Sequence, residues 1–141
     1  MTIPSKKIIV SPLNRIKILG GDVMHALKNT DTGYAGFGET YFSFVDNLAV
    51  KAWKMHRQMT MNLVVPIGQV KFVFYLPEEN IPFRVECIGE HNYVRLTVPP
   101  NIWFGFSGIG QGTNLIMNIA DMPHDPNEVE RASIDEFEFE W

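Results

Sequence analysis

Apolar and polar positions along this chain alternate over short spans; they do not recur every three or four residues. "VRLTV" (94–98) and "KFVFYL" (71–76) alternate strictly, the second with Phe72 and Phe74 on one side, which is the period of a strand with one buried face. Further short runs, "KKIIV", "RIKIL", "ETYFSFV", "LAVKAW", "NLVVPIGQVKFVFYL", "FRVECI", "WFGF" and "NLIMNIA", are rich in β-branched and aromatic residues and punctuated by Gly, Pro and Asn. Such residues suit a pleated, half-buried surface. Helical patterning is confined to two places. "DVMHALKN" (22–29) suits two turns after an Asp cap and equally a strand, and "DPNEVERA" (125–132) suits one turn with Pro126 at its start. The closing "IDEFEFEW" alternates carboxylates with aromatics and predicts an edge strand with Phe137, Phe139 and Trp141 packed. With no linker and no internal repeat, the pattern predicts one all-β sandwich or barrel, a single domain over 1–141.

Composition narrows the setting. A chain of 141 residues, 45% hydrophobic and 20% charged, has enough apolar content for a core of its own. A formal net charge of −4 and the lack of a basic run argue against a nucleic-acid partner. The single cysteine, Cys87, excludes an internal disulfide and fits a reducing compartment. The N-terminal "MTIPSKKIIVSPLNRIKILGG" lacks an uninterrupted apolar core of leader length, and no run approaches the roughly 18 apolar residues of a membrane span. These features predict a cytoplasmic protein with no membrane partner.

Phosphate loops are absent: "GIGQG" (108–112) lacks dinucleotide-loop spacing and any βαβ setting, and predicts a turn. The informative pair is in "VKAWKMH" (50–56), where Lys54 and His56 stand two residues apart. On a strand that spacing puts both side chains on one side of the sheet. The surroundings resemble the cupin, a small double-sheet β-barrel, whose first motif sets two His at spacing two, a Glu and then a Gly, and whose second reads Pro-x-Gly-x-x-His. Here Lys54, His56, Thr60 or Met61, and Gly68 stand at the first motif's positions, and Pro99, Asn101 and Phe104 at the second's. The turn and barrel residues match, but of the four ligand positions only His56 is a neutral donor for a transition metal. The expected fold is therefore a cupin jelly roll, all-β, with no metal site.

Within the cupins the chain resembles the nucleotide-sugar branch, the dTDP-4-dehydrorhamnose 3,5-epimerases and the dTDP-sugar 3,4-ketoisomerases. "GYAGFGETYFS" (33–43), "VKAWKMH" and "LTVPPNIWFGF" (96–106) carry the likeness, which "NLIMNIADMPHDPNEVER" (114–131) extends to about residues 30–131. By that resemblance Lys51 matches a basic residue near the nucleotide phosphates, Lys54 stands where the epimerases keep a catalytic His, and His56 matches the second His of the ketoisomerases. The epimerases' catalytic Tyr falls near Met117, and Phe104 replaces the turn's His. The resemblance implies an isomerase of a 4-keto-6-deoxy sugar nucleotide in deoxysugar or surface-polysaccharide biosynthesis. It also implies a homodimer that needs no external cofactor, because the proton leaves and returns without net redox change.

Epimerisation beside a ketone needs a base for the alpha proton, an acid to return one on the opposite face, and stabilisation of the enolate oxygen. Two assignments are open: a desolvated Lys54 is the base, or a charged Lys54 stabilises the enolate while His56 moves the proton. Glu39 and Tyr41 alternate with Ser43 on one strand face and are candidates for a sugar pocket. Trp103 is a candidate for stacking on a base, and Asn62 and Asn118, polar positions in apolar runs, are candidates to meet a ligand. Two further classes remain: a sugar-nucleotide-binding cupin without catalysis, favoured by the missing His and Tyr, and a metal-dependent cupin, disfavoured by the missing ligands.

Overall fold

The alternation of "KFVFYL" is realised in a strand whose Phe72 and Phe74 are fully buried while Lys71 and Tyr75 face the other way. A computed structural model describes residues 7–141; Lys6, at the start of "KKIIV", lies outside them. In chain order the strands are β1 (Ile9–Pro12), β2 (Arg15–Ile16), β3 (Val23–Met24), β4 (Glu39–Phe44), β5 (Val50–His56) and β6 (Met61–Ile67). They continue as β7 (Gln69–Tyr75), β8 (Phe83–Gly89), β9 (Val94–Val98), β10 (Trp103–Gly108), β11 (Leu115–Ala120) and β12 (Val129–Arg131). Two five-stranded sheets, ordered β1-β9-β6-β11-β4 and β12-β5-β10-β7-β8, form the barrel, and β2 pairs with β3 in a separate ribbon. Every named strand pair is antiparallel. This is the cupin jelly roll.

The core lies between the sheets, where Met61, Leu63 and Val65 of β6 meet Val70, Phe72 and Phe74 of β7, with Leu96, Phe104 and Ile116 completing it. The chain changes sheet at Gly68, whose φ of 84° is a conformation a glycine adopts without cost. A side chain there would also collide with Asn114 and Thr113. The buried Asn114 holds the corner by accepting from the Gln69 amide at 3.0 Å and donating to the Val45 carbonyl at 3.1 Å. Asn101, at the position of the second motif's Gly, likewise has a positive φ of 67°, and its amide donates to the His56 carbonyl at 2.6 Å.

One open reading is resolved and one expectation changes. Of the two forms that residues 22–29 suit, the structure has the strand and no helix: Val23–Met24 pairs with Arg15–Ile16, the His25 amide bonds the Asn14 carbonyl, and Arg95 takes the Ala26 carbonyl at 2.8 Å. Two helical turns are marginal alone, so these partners prevail. The closing "IDEFEFEW" is not an edge strand. After a 3-10 turn at Ile134–Glu136 the tail crosses the outer face of the second sheet. Phe137 stacks on Tyr75 with ring centroids 4.2 Å apart, Phe139 meets Phe83 at 5.2 Å and Trp141 meets Trp53 at 5.4 Å. The aromatics pack as the alternation predicts, but their sites lie across several strands, so ring contacts replace a ladder.

That crossing explains Gly105. A Cβ added there would come within 2.6 Å of the Ala52 Cβ and 3.0 Å of the Trp141 ring. Gly105→Ala is expected to destabilise the protein by about 1–3 kcal/mol through overpacking, read as a lower midpoint in urea unfolding. Shortening Trp141 to Leu in the same chain should recover part of the loss.

Candidate active site

Spacing two on β5 turns Lys54 and His56 toward the same side, and that side is the barrel interior: both line a cavity of about 450 Å³. Lys51, three residues before Lys54, would face away on a regular strand. The register slips between Phe104 and Gly105, which pair with Lys54 and Ala52 and leave Trp53 as the extra residue. Such a bulge re-aims the side chains before it, and Lys51 also reaches the cavity wall. Tyr41 and Ser43 of β4, Asn118 of β11 and Arg131 of β12 add polar groups; Leu63, Phe72, Phe106 and Ile116 supply apolar wall.

His56 is the best-anchored group. Its Nδ1 bonds the Glu128 carboxylate, and the other Glu128 oxygen accepts from the Gln58 amide at 3.1 Å and the Met59 amide at 3.3 Å. The His56 ring is stacked on Phe104, with centroids 6.0 Å apart. The Phe that replaces the motif's His thus packs the imidazole in place. Both His56 and Glu128 are about 2% exposed. With Nδ1 donating to a carboxylate, Nε2 is the basic nitrogen, and Nε2 is buried with no hydrogen-bond partner among the described residues.

Glu128 reaches this position through the turn foreseen in "DPNEVERA". Asp125 caps a 3-10 turn over Pro126–Glu128 by accepting from the Asn127 amide at 2.9 Å, and the chain then enters β12, whose Val129 pairs with His56.

Opposite charges and burial set the protonation states. Burial pushes the His56 imidazole below its ordinary value, against the opposing pull of Glu128. Burial alone would raise the Glu128 carboxyl, but the His56 bond and the two amides outweigh it and hold it below the usual range. Burial and the neighbouring Arg131 push Lys54 down, with Glu128 acting the other way. Burial raises the Tyr41 phenol, which keeps it protonated. Both His56 and Glu128 bind fewer protons in the folded chain than in the unfolded one below their ordinary values of 6.5 and 4.5. Stability is therefore expected to fall as pH drops below about 6.5 and further below about 4.5, read as a falling melting temperature. A flat profile between pH 7 and 4 would contradict a neutral buried His56.

Tyr41 and Asn118 form a second polar pair. The Asn118 amide donates to the Tyr41 hydroxyl at 3.0 Å, which leaves the phenolic proton available elsewhere. The Asn118 side-chain oxygen, Oδ1, is buried without a partner among the described residues. Among the described residues the Lys54 side chain makes no hydrogen bond or ion pair. Lys51 donates to the Phe44 carbonyl at 2.8 Å.

Three expected site residues are elsewhere. Asn62 alternates away from the cavity and is consumed on the other face, donating to the Gly33 carbonyl at 3.0 Å and accepting from Thr97 at 2.6 Å and Arg95 at 3.1 Å. Glu39 accepts from the His124 amide at 2.8 Å and so ties down a loop. Trp103 pairs with Tyr75 and meets Phe137 at 5.6 Å on the outer face of its sheet. Glu128 and Arg131 had no signal in the sequence as site residues. Glu128 is 72 positions from its partner, and Arg131 meets Lys54 only through the pairing of β12 with β5. Among the described residues no group of three His, Cys, Asp or Glu is placed to hold a metal ion.

Strand order and site together define a cupin with a His–carboxylate centre inside its barrel. No family model matches the chain. It is 36% identical to a dTDP-sugar isomerase from Desulfovibrio desulfuricans, whose structure superposes with a TM-score of 0.86 over 96% of this chain and 90% of that one. A sugar 3,4-ketoisomerase from Thermoanaerobacterium thermosaccharolyticum, solved with TDP, shares the fold at a TM-score of 0.76 and 16% identity, covering 92% of this chain and 90% of its own. A probable low-salt glycan biosynthesis epimerase of Haloferax volcanii is 31% identical over 84 residues, 56% of this chain and 54% of that protein. The match thus spans about half the length of this curated relative. The chain belongs to the family of dTDP-sugar isomerases and epimerases.

Proposed function

We propose that the protein is a sugar-nucleotide isomerase that removes and returns a proton alpha to the ketone of a 4-keto-6-deoxy sugar. The observation that carries this reading is the buried Nε2 of His56, without a partner among the described residues, with Glu128 behind the ring and the Tyr41–Asn118 pair in the same cavity. His56 is the base, since Glu128 stabilises the imidazolium that forms on proton uptake. Tyr41, protonated and relieved of its acceptor role by Asn118, is the acid. Asn118 Oδ1 accepts from a sugar hydroxyl. Lys51 and Arg131 are exposed and line the same cavity as the buried His56, so a substrate with an anionic diphosphate and a neutral sugar enters sugar first. The two cations take the diphosphate.

The protein acts as a homodimer in the cytoplasm. The exposed Phe42 and Phe44 on edge strand β4 support a second copy as their cover, and an exposed, unpaired Cys87 suits a reducing compartment. A monomer in sedimentation at micromolar concentration would refute the dimer.

The test of activity is proton NMR of dTDP-4-keto-6-deoxyglucose in D₂O. Loss of the C3 or C5 proton signal with the protein, and its retention with His56→Ala, is the expected result. Line broadening of the nucleotide without exchange would instead make this a binding protein.

A further inference from the structure

The role of Lys54 goes beyond acid–base chemistry. We propose that Lys54 acts covalently: its Nζ adds to the sugar ketone, and the resulting iminium ion, not the free ketone, is the species from which His56 removes the alpha proton. This inference rests on the sugar-nucleotide reading above and names the electrophile within that site.

Three observations carry it. Lys54 lines the cavity on the same side of β5 as His56, so nucleophile and base face one substrate. Its amine has no carboxylate or carbonyl partner among the described residues, because the one buried carboxylate in reach, Glu128, is committed to His56 and two backbone amides. An ammonium in that half-buried position would give up hydration with no hydrogen bond in return, offset only by the charge of Glu128. Its cross-strand neighbour is a second cation, Arg131, and burial beside a cation favours the neutral, nucleophilic amine. The direction of the Lys54 shift agrees.

The steps balance. The Nζ lone pair attacks the C4 carbonyl carbon, and the carbonyl electron pair moves to oxygen. Proton transfer and loss of water give the iminium. His56 Nε2 takes the proton from the adjacent carbon, and the C–H electron pair becomes the carbon–carbon double bond of a neutral enamine. Proton return from Tyr41 to the opposite face restores the iminium with inverted configuration. Water then adds, C–N cleavage releases ketone and free Lys54, and exchange with solvent takes the proton from His56 and returns one to Tyr41. No electrons are gained or lost overall.

The route also selects the reaction. If the carbonyl moved to C3, C4 would be left joined to Lys54 by a secondary amine, which water does not cleave. A covalent Lys54 therefore commits the site to epimerisation and excludes ketone migration.

The experiment is trapping of the wild-type protein with dTDP-4-keto-6-deoxyglucose and sodium cyanoborohydride at neutral pH, beside the deuterium-exchange measurement. Hydride reduces the iminium and leaves a stable amine. The expected result is an intact-mass gain equal to the sugar nucleotide less one oxygen atom, mapped by peptide analysis to Lys54 and lost in Lys54→Arg. Deuterium exchange without a trapped adduct, or an adduct on a different lysine, overturns the covalent role and leaves the proposed isomerase standing. Neither exchange nor adduct overturns both. A wild-type adduct at Lys54 decides the point whether or not the variant folds.

Discussion

Replacing His56 by Ala is expected to lower kcat/KM by about 10³-fold, the range for loss of a positioned general base, with the fold retained in circular dichroism. Glu128→Gln is the more diagnostic variant. Glu128 is a positioning residue: it holds Nδ1 and stabilises the imidazolium, while the cavity is lined by His56 and not by Glu128. The glutamine keeps the shape and removes the charge that raises the His56 pKa. Since the neutral imidazole is the active form, kcat/KM rises with pH through the His56 pKa, which burial already places below 6.5. In Glu128→Gln that acid limb should move to lower pH, while the plateau falls about 10-fold to 100-fold as the base weakens. A purely structural Glu128 would lower stability and leave the limb where it is.

Arg95→Ala is expected to cost about 3 kcal/mol of stability, the scale for stranding the partners of a buried charge. The Arg95 guanidinium, 1% exposed as a residue, donates to the Ala26 carbonyl at 2.8 Å, the Thr32 carbonyl at 2.9 Å and Asn62 Oδ1 at 3.1 Å, and lies 3.4 Å from Asp31. It pins residues 26–32 to the outer face of the first sheet, and Asn62 Oδ1, the Asp31 carboxylate and the Ala26 and Thr32 carbonyls would lose this partner together. Urea unfolding measures the cost, with faster amide exchange over 26–33 as the local signature. Because Asn62 faces away from the cavity, the catalytic centre should survive: near-normal kcat below the new melting temperature is expected. A loss of kcat with stability unchanged would mean that the Arg95 side is part of the site.

The strands were legible because a half-buried sheet writes its period into the chain. "VRLTV" and "KFVFYL" could bury one face only as strands, whereas the sheet change at Gly68, inside a run that reads as one long strand, came from the structure. Lys54 and His56 were legible for the same reason: spacing two on a strand forces a common side. Arg95 shows the limit. It stands at a polar position of "VRLTV", where alternation implies solvent, yet the loop folding back over β9 buries it. Asn62 was misplaced by the same effect, because alternation tells that a residue faces away from its neighbours and not which face the next segment will cover.

Local sequence thus determined the all-β class, the turn at 125–128 and the shared side of Lys54 and His56. Each depends on covalent geometry within a few residues. Only the tertiary structure decided that this side is a cavity, that Glu128 lies behind His56, that Arg131 stands across from Lys54 and that the tail crosses a sheet. Those meetings depend on pairing between strands far apart in the chain, such as β12 with β5, and the periodicity of one strand holds no information about its neighbour.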